Sequence, residues 1–273
     1  ALVECDKKIL TGFIESHFFA GFSGGGKAVM PGMAGLRTIL QNHGVEMIAH
    51  PKATWGITEG NPVWEEIRQA AHLIGDVFLI NVTLNKHKRI SGVYAGDLDQ
   101  AHSMGCQAVR GSSMVKVDTP FDIVITTNSG YPLDLNLYQS IKGISAAAQV
   151  TRQGGAIIIA AECRDGVPPH GEYANLLAMA DDPQDILALI HSPGFLMRDQ
   201  WQVQIQAQIQ LRMDIYVYSE GLADEQILRA KMKPCRDIIK TVAQLLEKYG
   251  RDARIGVLPQ GPQTIPYLAV GCS

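Results

Sequence analysis

Two apolar stretches decide the fold of this chain: Phe121-Asp-Ile-Val-Ile-Thr-Thr127 and Gly155-Ala-Ile-Ile-Ile-Ala-Ala161. Each is a continuous apolar run of strand length, which is typical of a strand buried on both faces. A helix is predicted between them, near Leu137 to Val150. Buried strands separated by helices predict an α/β fold with parallel, doubly wound (Rossmann-like) sheets flanked by helices.

The same alternation continues on both sides of these strands. Downstream, the sequence predicts helices at 183–191, 196–212 and 235–249, and strands at 214–218 and 254–258. Upstream, it predicts strands at 9–14, 76–84 and 89–94, and helices at 34–43, 63–74 and 98–110. Asn61-Pro62 is a cap-and-first-residue signal for the helix at 63–74, and Gly75 is its stop. We expect a boundary in the polar stretch Gly111–Thr119, which gives two domains, 1–115 and 116–273, with the site between them.

Composition narrows the class of protein. The 273 residues carry a net charge of −3, which provides no electrostatic argument for a nucleic-acid or membrane partner. No apolar run approaches the length of a membrane span. Five scattered cysteines without a C-x-x-C pair argue against a disulfide framework and favour a cytoplasmic protein. The start at Ala1, without an initiator Met, suggests a piece of a longer protein or a processed one.

The stretch with the most chemistry is His17-Phe-Phe-Ala-Gly-Phe-Ser-Gly-Gly-Gly-Lys27, followed by Asn42-His43. Gly24, Gly25 and Gly26 can adopt positive φ and turn backbone N–H groups toward a phosphate. Lys27 adds a charge or a nucleophilic amine, and each histidine can carry a proton or ligate a metal. These groups predict an enzyme that holds an anionic ligand and a metal.

A nucleotide-binding P-loop is the first alternative, because Gly21 to Lys27 matches G-x-x-x-x-G-K. The next residue is Ala28, where such a loop needs a hydroxyl for Mg²⁺. Residues 15–20 also lack the apolar strand that should precede the loop. The sequence therefore disfavours an NTPase and leaves room for a phosphate-bearing ligand of another kind.

A second group of functional side chains follows the strand that ends at Thr127. Ligands of parallel α/β sheets bind beyond the carboxyl ends of the strands. Tyr138 and Lys142 are four residues apart on the predicted helix, and Gln139 and Lys142 are three apart, so they share one face. A ring, an amide and an ammonium group there could stack on a flat cofactor and bind a carboxylate.

Together the two motifs resemble the nickel-dependent lactate racemase family. The matching residues are His17-x-x-Ala-Gly-Phe-Ser-Gly-Gly-Gly-Lys27, His43, Gly130-Tyr-Pro-Leu-Asp-Leu-Asn-Leu-Tyr-Gln-Ser-Ile-Lys142 and Trp201. The resemblance covers nearly the whole chain but only the later part of the family's sequence. It implies that residues 1–115 are the later part of a cofactor-tethering N-terminal domain and that residues 116–273 are a C-terminal α/β domain.

The resemblance also implies a cofactor: pyridinium-3,5-bisthiocarboxylic acid mononucleotide, a pincer that holds nickel through one carbon and two sulfurs. Lys27 is then its covalent tether, and His43 is the nickel ligand. Phe19 and Tyr138 resemble the aromatic pair on either side of the pyridinium ring, and Gly24–Gly26 are the expected backbone contacts. Enzymes that mature and load this cofactor are the implied protein partners.

The implied reaction is racemisation or epimerisation of a small, lactate-like 2-hydroxy acid. The α-hydrogen is a very weak acid, so its removal as hydride avoids a carbanion. His17 resembles one of two histidines that exchange the roles of acid and base. Gln139 and Lys142 resemble the substrate-holding pair, and with His17 they are the expected catalytic residues. Trp201 resembles a wall of the pocket.

The family's other catalytic histidine, and an assisting arginine and aspartate, lie upstream of the residues present here. Catalysis would therefore need an upstream segment of the same protein. Other interpretations remain open: Lys27 as a solvated loop charge, His43 as a helix C-cap, and the three aromatic residues as core packing. For the whole chain, the alternative is a non-catalytic fragment or homologue that retains an α/β phosphate-binding fold.

Overall fold

The structure, a computed structural model, describes residues 2–168 and 170–269. The chain divides into unit 1, Ala1–Met114, and unit 2, Val115–Ser273. Strand β6, Met114–Val117, lies at the division and pairs with β12, Ile265–Leu268, near the end of the described chain.

The described part of unit 1 combines a three-stranded sheet and a two-stranded sheet with four helices. Its strands are β1 (Ile9–Phe13), β2 (Ser16–His17), β3 (Gly21–Phe22), β4 (Phe78–Leu84) and β5 (Ile90–Gly96). Its helices are α1 (Leu36–Asn42), α2 (Val45–Ala49), α3 (Pro62–Leu73) and α4 (Leu98–Ser113). Short 3₁₀ turns cover Leu2–Glu4 and Gly25–Ala28.

The main sheet of unit 1 is mixed, where the sequence predicts parallel strands. Its order is β1-β4-β5, with β1 parallel and β5 antiparallel to β4. The reason is the short connection at 85–89, which cannot supply the long crossover that a parallel pair needs. Asn85 Oδ1 accepts the backbone N–H groups of His87 and Arg89 at 2.9 and 3.1 Å and stabilises this hairpin.

Helix α3 forms where its cap predicts it. The side chain of Asn61 accepts hydrogen bonds from Val63 N at 3.1 Å and Trp64 N at 3.4 Å, and Pro62 occupies the first turn. The helix buries Val63, Trp64, Ile67 and Ala71, and Ala71 packs in one cluster with Leu10 of β1 and Leu79 of β4. Gly75 follows its end with a φ of 83°, as expected for a residue that stops a helix.

Unit 2 contains the predicted parallel, doubly wound sheet. Its five strands run in the order β10-β9-β8-β7-β11 and all pair in parallel. Their bounds are Phe121–Thr127 (β7), Thr151–Ala160 (β8), Asp214–Tyr218 (β9), Lys233–Pro234 (β10) and Ile255–Leu258 (β11). The helices are α5 (Leu137–Ala148), α6 (Tyr173–Ala178), α7 (Pro183–Ile190), α8 (Gln200–Gln210), α9 (Asp224–Arg229) and α10 (Ile238–Tyr249).

Strand β8 is covered on both faces, which explains its unbroken apolar sequence. Residues 156–159 are fully buried. Ile158 packs in one cluster with Leu245 of α10, whereas the side chain of Ile159 lies beside Gly143 of α5. Because successive strand residues point to opposite faces, helices on both sides require apolar residues at every position.

The helices and strands that apolar periodicity does not predict are all short. A strand of two to four residues or a helix of five or six presents less than two turns of any periodic pattern. These elements are α2, α6, α9, β2, β3, β6, β10 and β12.

Candidate active site

The glycine loop lies between the hairpin of β2 and β3 and the 3₁₀ turn that carries Lys27. Gly24 and Gly25 have φ of 77° and 55°, in the left-handed region that favours glycine. The N–H of Gly25 donates to Asn81 Oδ1 at 2.7 Å, and the N–H of Lys27 donates to Gly24 O at 3.1 Å. Gly24 and Gly25 thus have the predicted positive φ. The N–H groups of Gly25 and Lys27, however, bond to other atoms of the protein.

Phe19 is the centre of the unit 1 group. Its buried ring is met edge-on by His17 at 4.5 Å and by His43 at 4.9 Å between ring centroids. The Lys27 amine lies 5.7 Å from the same ring centroid. Three predicted site residues therefore meet at the ring of a fourth, and the four span 27 positions of sequence.

His43 is a neutral imidazole. It follows the last residue of α1 and is only 4% exposed. Burial, reinforced by the charge of Lys27, lowers its pKa to about 3. A neutral ring can donate a lone pair to a metal, but it does not supply the positive charge that stabilises a helix C-terminus. The electrostatic reason for the C-cap interpretation is therefore absent.

His17 is half-buried and has a defined acceptor atom. Ala20 N–H donates to its Nδ1 at 3.2 Å. Because that nitrogen accepts, Nε2 carries the proton when the ring is neutral. The neutral side chain therefore presents an N–H group, which is a hydrogen-bond donor.

Asn61 is a buried residue beside the site that the sequence motifs do not single out. Besides capping α3, its Nδ2 donates to Phe19 O at 2.9 Å and to Ile57 O at 2.8 Å. One amide thus joins the start of α3 to the backbone of the central aromatic residue. The cap signal at Asn61-Pro62 marks the helix start in the sequence, whereas the contact with Phe19 depends on folding.

The second group lies in unit 2, at the start of α5. Asn136 caps this helix by accepting the N–H of Gln139 at 3.0 Å, and Lys142 follows one turn later. Both side chains are half-buried. The helix begins after the carboxyl end of β7, as predicted, at the edge where parallel sheets bind ligands.

Tyr138 and Trp201 are direct neighbours. Trp201 Nε1–H donates to Tyr138 Oη at 3.1 Å, and Gln202 Nε2 donates to the Tyr138 carbonyl at 2.5 Å. Burial first, and then the charge of Asp199, raises the pKa of Tyr138 to about 12, so the phenol stays protonated near neutral pH. The Tyr173 ring meets Tyr138 edge-on at 5.4 Å. The predicted ring and pocket wall therefore form one hydrogen-bonded aromatic pair.

Within the described residues, no group of three or more His, Cys, Asp or Glu side chains is arranged to hold a metal ion. In the same part of the chain, no helix has both the length and the apolar character needed to cross a membrane.

Two family models match the chain. The lactate racemase C-terminal domain matches residues 116–265, and the lactate racemase N-terminal domain matches residues 1–56. Lactate racemases from Thermoanaerobacterium thermosaccharolyticum and Lactiplantibacillus plantarum are 38% and 40% identical over 265 and 261 residues. These alignments cover 96% and 94% of this chain but only 62% and 61% of the relatives.

Two solved structures superpose on this chain. The lactate racemase apoprotein from T. thermosaccharolyticum superposes with a TM-score of 0.93 at 37% identity, over 97% of this chain and 64% of that one. A Thermotoga maritima protein superposes with a TM-score of 0.73 at 18% identity, over 98% of this chain and 68% of that one, a likeness of fold alone.

Proposed function

The chain belongs to the lactate racemase family, and on that premise we propose that it is part of a racemase or epimerase of a small 2-hydroxy acid. The observation that carries this proposal is the meeting of His17, Lys27 and His43 at the Phe19 ring. An amine, an acid-base group and a neutral metal-binding group then face one aromatic surface. The chain spans about three fifths of its relatives, so the activity belongs to the whole protein.

The donor set suits a nickel-pincer nucleotide. A buried, neutral imidazole offers a lone pair, and imidazole together with sulfur ligands suits nickel. In this proposal Lys27 would hold the group covalently and His43 would be the protein's ligand to the metal. Phe19 and Tyr138 provide aromatic faces for a cationic pyridinium ring. When bound, the group supplies an acceptor for the substrate's α-hydrogen as hydride.

The residues of this chain bind the substrate and move its proton. Lys142 offsets the carboxylate charge and polarises the oxygen that becomes a keto group, while Gln139 holds the same end of the substrate. As an imidazolium, His17 gives a proton to the keto oxygen of the planar keto acid and becomes neutral; in the reverse direction the neutral ring takes that proton back from the hydroxyl group. The opposite face needs a second acid-base group, which in the family lies upstream. Trp201, fixed by its bond to Tyr138, limits the size of the substrate.

The alternative is a homologue that keeps the fold without racemising anything. The observation that favours it is the bonding of the Gly25 and Lys27 N–H groups to Asn81 and Gly24 of the protein itself. It predicts a folded protein without covalent loading.

The first prediction tests the tether by intact mass. After production with the cofactor's maturation enzymes, the wild-type protein should carry an adduct that Lys27→Ala lacks, because this amine is the proposed point of attachment. Lys86→Ala, on an exposed hairpin, should load like the wild type. Loaded full-length protein should then racemise a member of a panel that contains lactate and malate. Failure of the wild type to gain the adduct would favour the non-catalytic alternative.

A further inference from the structure

Two buried side chains hold the loop of residues 23–27, here called the lysine loop, from distant parts of the chain. The first is Asn81 of β4, which is 1% exposed. Its Oδ1 accepts the N–H of Gly25 at 2.7 Å, and its Nδ2 donates to Ile80 O at 3.0 Å. Since Gly25 N–H can only donate, the amide orientation is determined by the loop.

The second side chain is His102 of α4, which is 4% exposed. Its Nε2 lies 2.8 Å from the carbonyl oxygen of Ser23. A carbonyl only accepts, so Nε2 carries the proton and the neutral ring's Nδ1 accepts. That nitrogen faces the Cys106 thiol at 3.4 Å, and Trp64 stacks on the ring at 4.6 Å. Burial lowers the pKa of His102 and raises that of Cys106 to about 12, which keeps both groups neutral.

The loop lies directly on these two side chains. A Cβ at Gly24 would be 2.5 Å from Asn81 Oδ1, and a Cβ at Gly25 would be 2.7 Å from the His102 ring. Both separations are too short for any side chain. The glycines therefore serve close contact with Asn81 and His102 as well as positive φ, and these contacts end two residues before Lys27.

We propose that Asn81 and His102 are positioning residues that hold the Lys27 amine in the place where it takes up the cofactor. A glycine-rich loop can adopt many conformations. All but one of them must be excluded if the Lys27 amine is to meet the reactive group of the cofactor. Their contacts with the loop are at Ser23, Gly24 and Gly25, so they act on Lys27 through the loop and not on the reacting atoms. This inference rests on the proposed tethering role of Lys27.

The test compares variants that remove one bond with a variant that keeps it. Asn81→Leu removes the acceptor for Gly25, and His102→Leu removes the donor to Ser23. His102→Gln keeps an N–H donor at a similar distance from the helix. Thr83→Val is the matched control, because Thr83 lies on the same strand as Asn81. The change removes the 3.0 Å hydrogen bond between Thr83 and Ser91 and leaves the lysine loop unaltered.

Cofactor loading is followed by intact mass over time, with thermal unfolding measured in parallel. Asn81→Leu and His102→Leu should load on the order of tenfold more slowly than the wild type, since small misplacements of a reacting group carry penalties of that size. The loading rates of His102→Gln and Thr83→Val should stay within about threefold of the wild-type rate. Wild-type rates in both leucine variants, or equal slowing in Thr83→Val, would overturn the inference.

A second measurement uses unloaded protein and separates this inference from the proposed function. N-acetoxysuccinimide acetylates exposed amines, and peptide masses give the ratio of acetylation at Lys27 to that at Lys86. Release of the loop should raise this ratio severalfold in the two leucine variants but not in Thr83→Val. An unchanged ratio refutes the positioning role even if the wild type never loads. A raised ratio with an unloaded wild type refutes the tether and leaves the positioning intact.

Discussion

At the scale of single residues, the protonation state of His43 is the property that matters most for the site. Its burial beside Phe19 and the nearby charge of Lys27 both disfavour the imidazolium, and they act in the same direction. The ring is therefore neutral from mildly acidic to alkaline pH. A proton competes with a metal for the same lone pair, so this environment favours ligation.

The second prediction follows from this environment. His43→Ala should lose nickel, because its imidazole is the proposed ligand, but should keep the adduct on Lys27. The measurements are metal analysis and intact mass on the same sample. His87→Ala, in the exposed hairpin turn between β4 and β5, is the control and should keep both. Nickel retained at the wild-type ratio in His43→Ala would show that another residue ligates the metal.

At the scale of elements, β7 is the strand that joins β8 and β11 in the sheet of unit 2. At its amino end, Asp122 Oδ2 accepts the N–H of Arg254, next to β11, at 2.7 Å, and Oδ1 accepts from Arg152 of β8. At its carboxyl end, Thr127 Oγ1 donates to Pro259 O at 2.9 Å. Both neighbours of β7 are thus fixed in register, and β7 and β11 meet at the switch point of the sheet.

The third prediction concerns the pH dependence of this arrangement. The hydrogen bond from Arg152, followed by that from Arg254 N, lowers the pKa of Asp122. A carboxyl group with a lowered folded-state pKa stabilises the fold above its unfolded pKa, near 3.8, and the contribution disappears as pH falls through the folded value. Asp122→Asn should therefore cost about 1 kcal/mol of unfolding free energy at pH 7, given the partial exposure of the pair.

Denaturant unfolding at several pH values checks this prediction. The difference between Asp122→Asn and the wild type should shrink as the pH is lowered below 4, because the wild-type carboxyl group is then losing its charge. Asp118→Asn is the control, since Asp118 is 90% exposed and 3.9 Å from Lys116. A difference that stays constant from pH 7 to pH 2 would assign the effect to packing.

At the scale of the whole molecule, the predicted site residues fall into two groups with different tasks. The proposed tether, metal ligand and acid-base histidine belong to unit 1. The proposed substrate-holding pair and the Tyr138–Trp201 pair belong to unit 2. Each group is organised by contacts inside its own unit. Covalent loading at Lys27 and binding of the substrate by Gln139 and Lys142 should therefore respond separately to mutation.

The fourth prediction uses this division. Lys142→Ala should load the cofactor to the wild-type level, because the tether is in unit 1, but should lose racemase activity through loss of carboxylate binding and keto polarisation. The losses would appear in both KM and kcat of the full-length loaded protein. Lys116→Ala, an exposed lysine of unit 2, is the matched control. If Lys142→Ala failed to load, the two tasks would not be separable.

The sequence was most informative where a pattern is long or a motif is dense. The runs at 121–127 and 155–161 predicted the buried parallel strands, since burial on both faces leaves a mark at every position. The cap at Asn61 predicted the start of α3. In contrast, the hairpin at 85–89 makes the sheet of unit 1 mixed, a consequence of connection length that apolar periodicity does not report.

By itself the sequence determined the α/β class, the parallel sheet of unit 2 and the types of reactive groups near Lys27. Only the tertiary structure decided that His17, Lys27 and His43 meet at the ring of Phe19, and that Asn81 and His102 hold the loop from 56 and 79 positions away. The physical reason is the range of each signal. Periodicity and caps act between neighbours along the chain, whereas ring contacts, burial and buried hydrogen bonds exist only after distant segments have packed together.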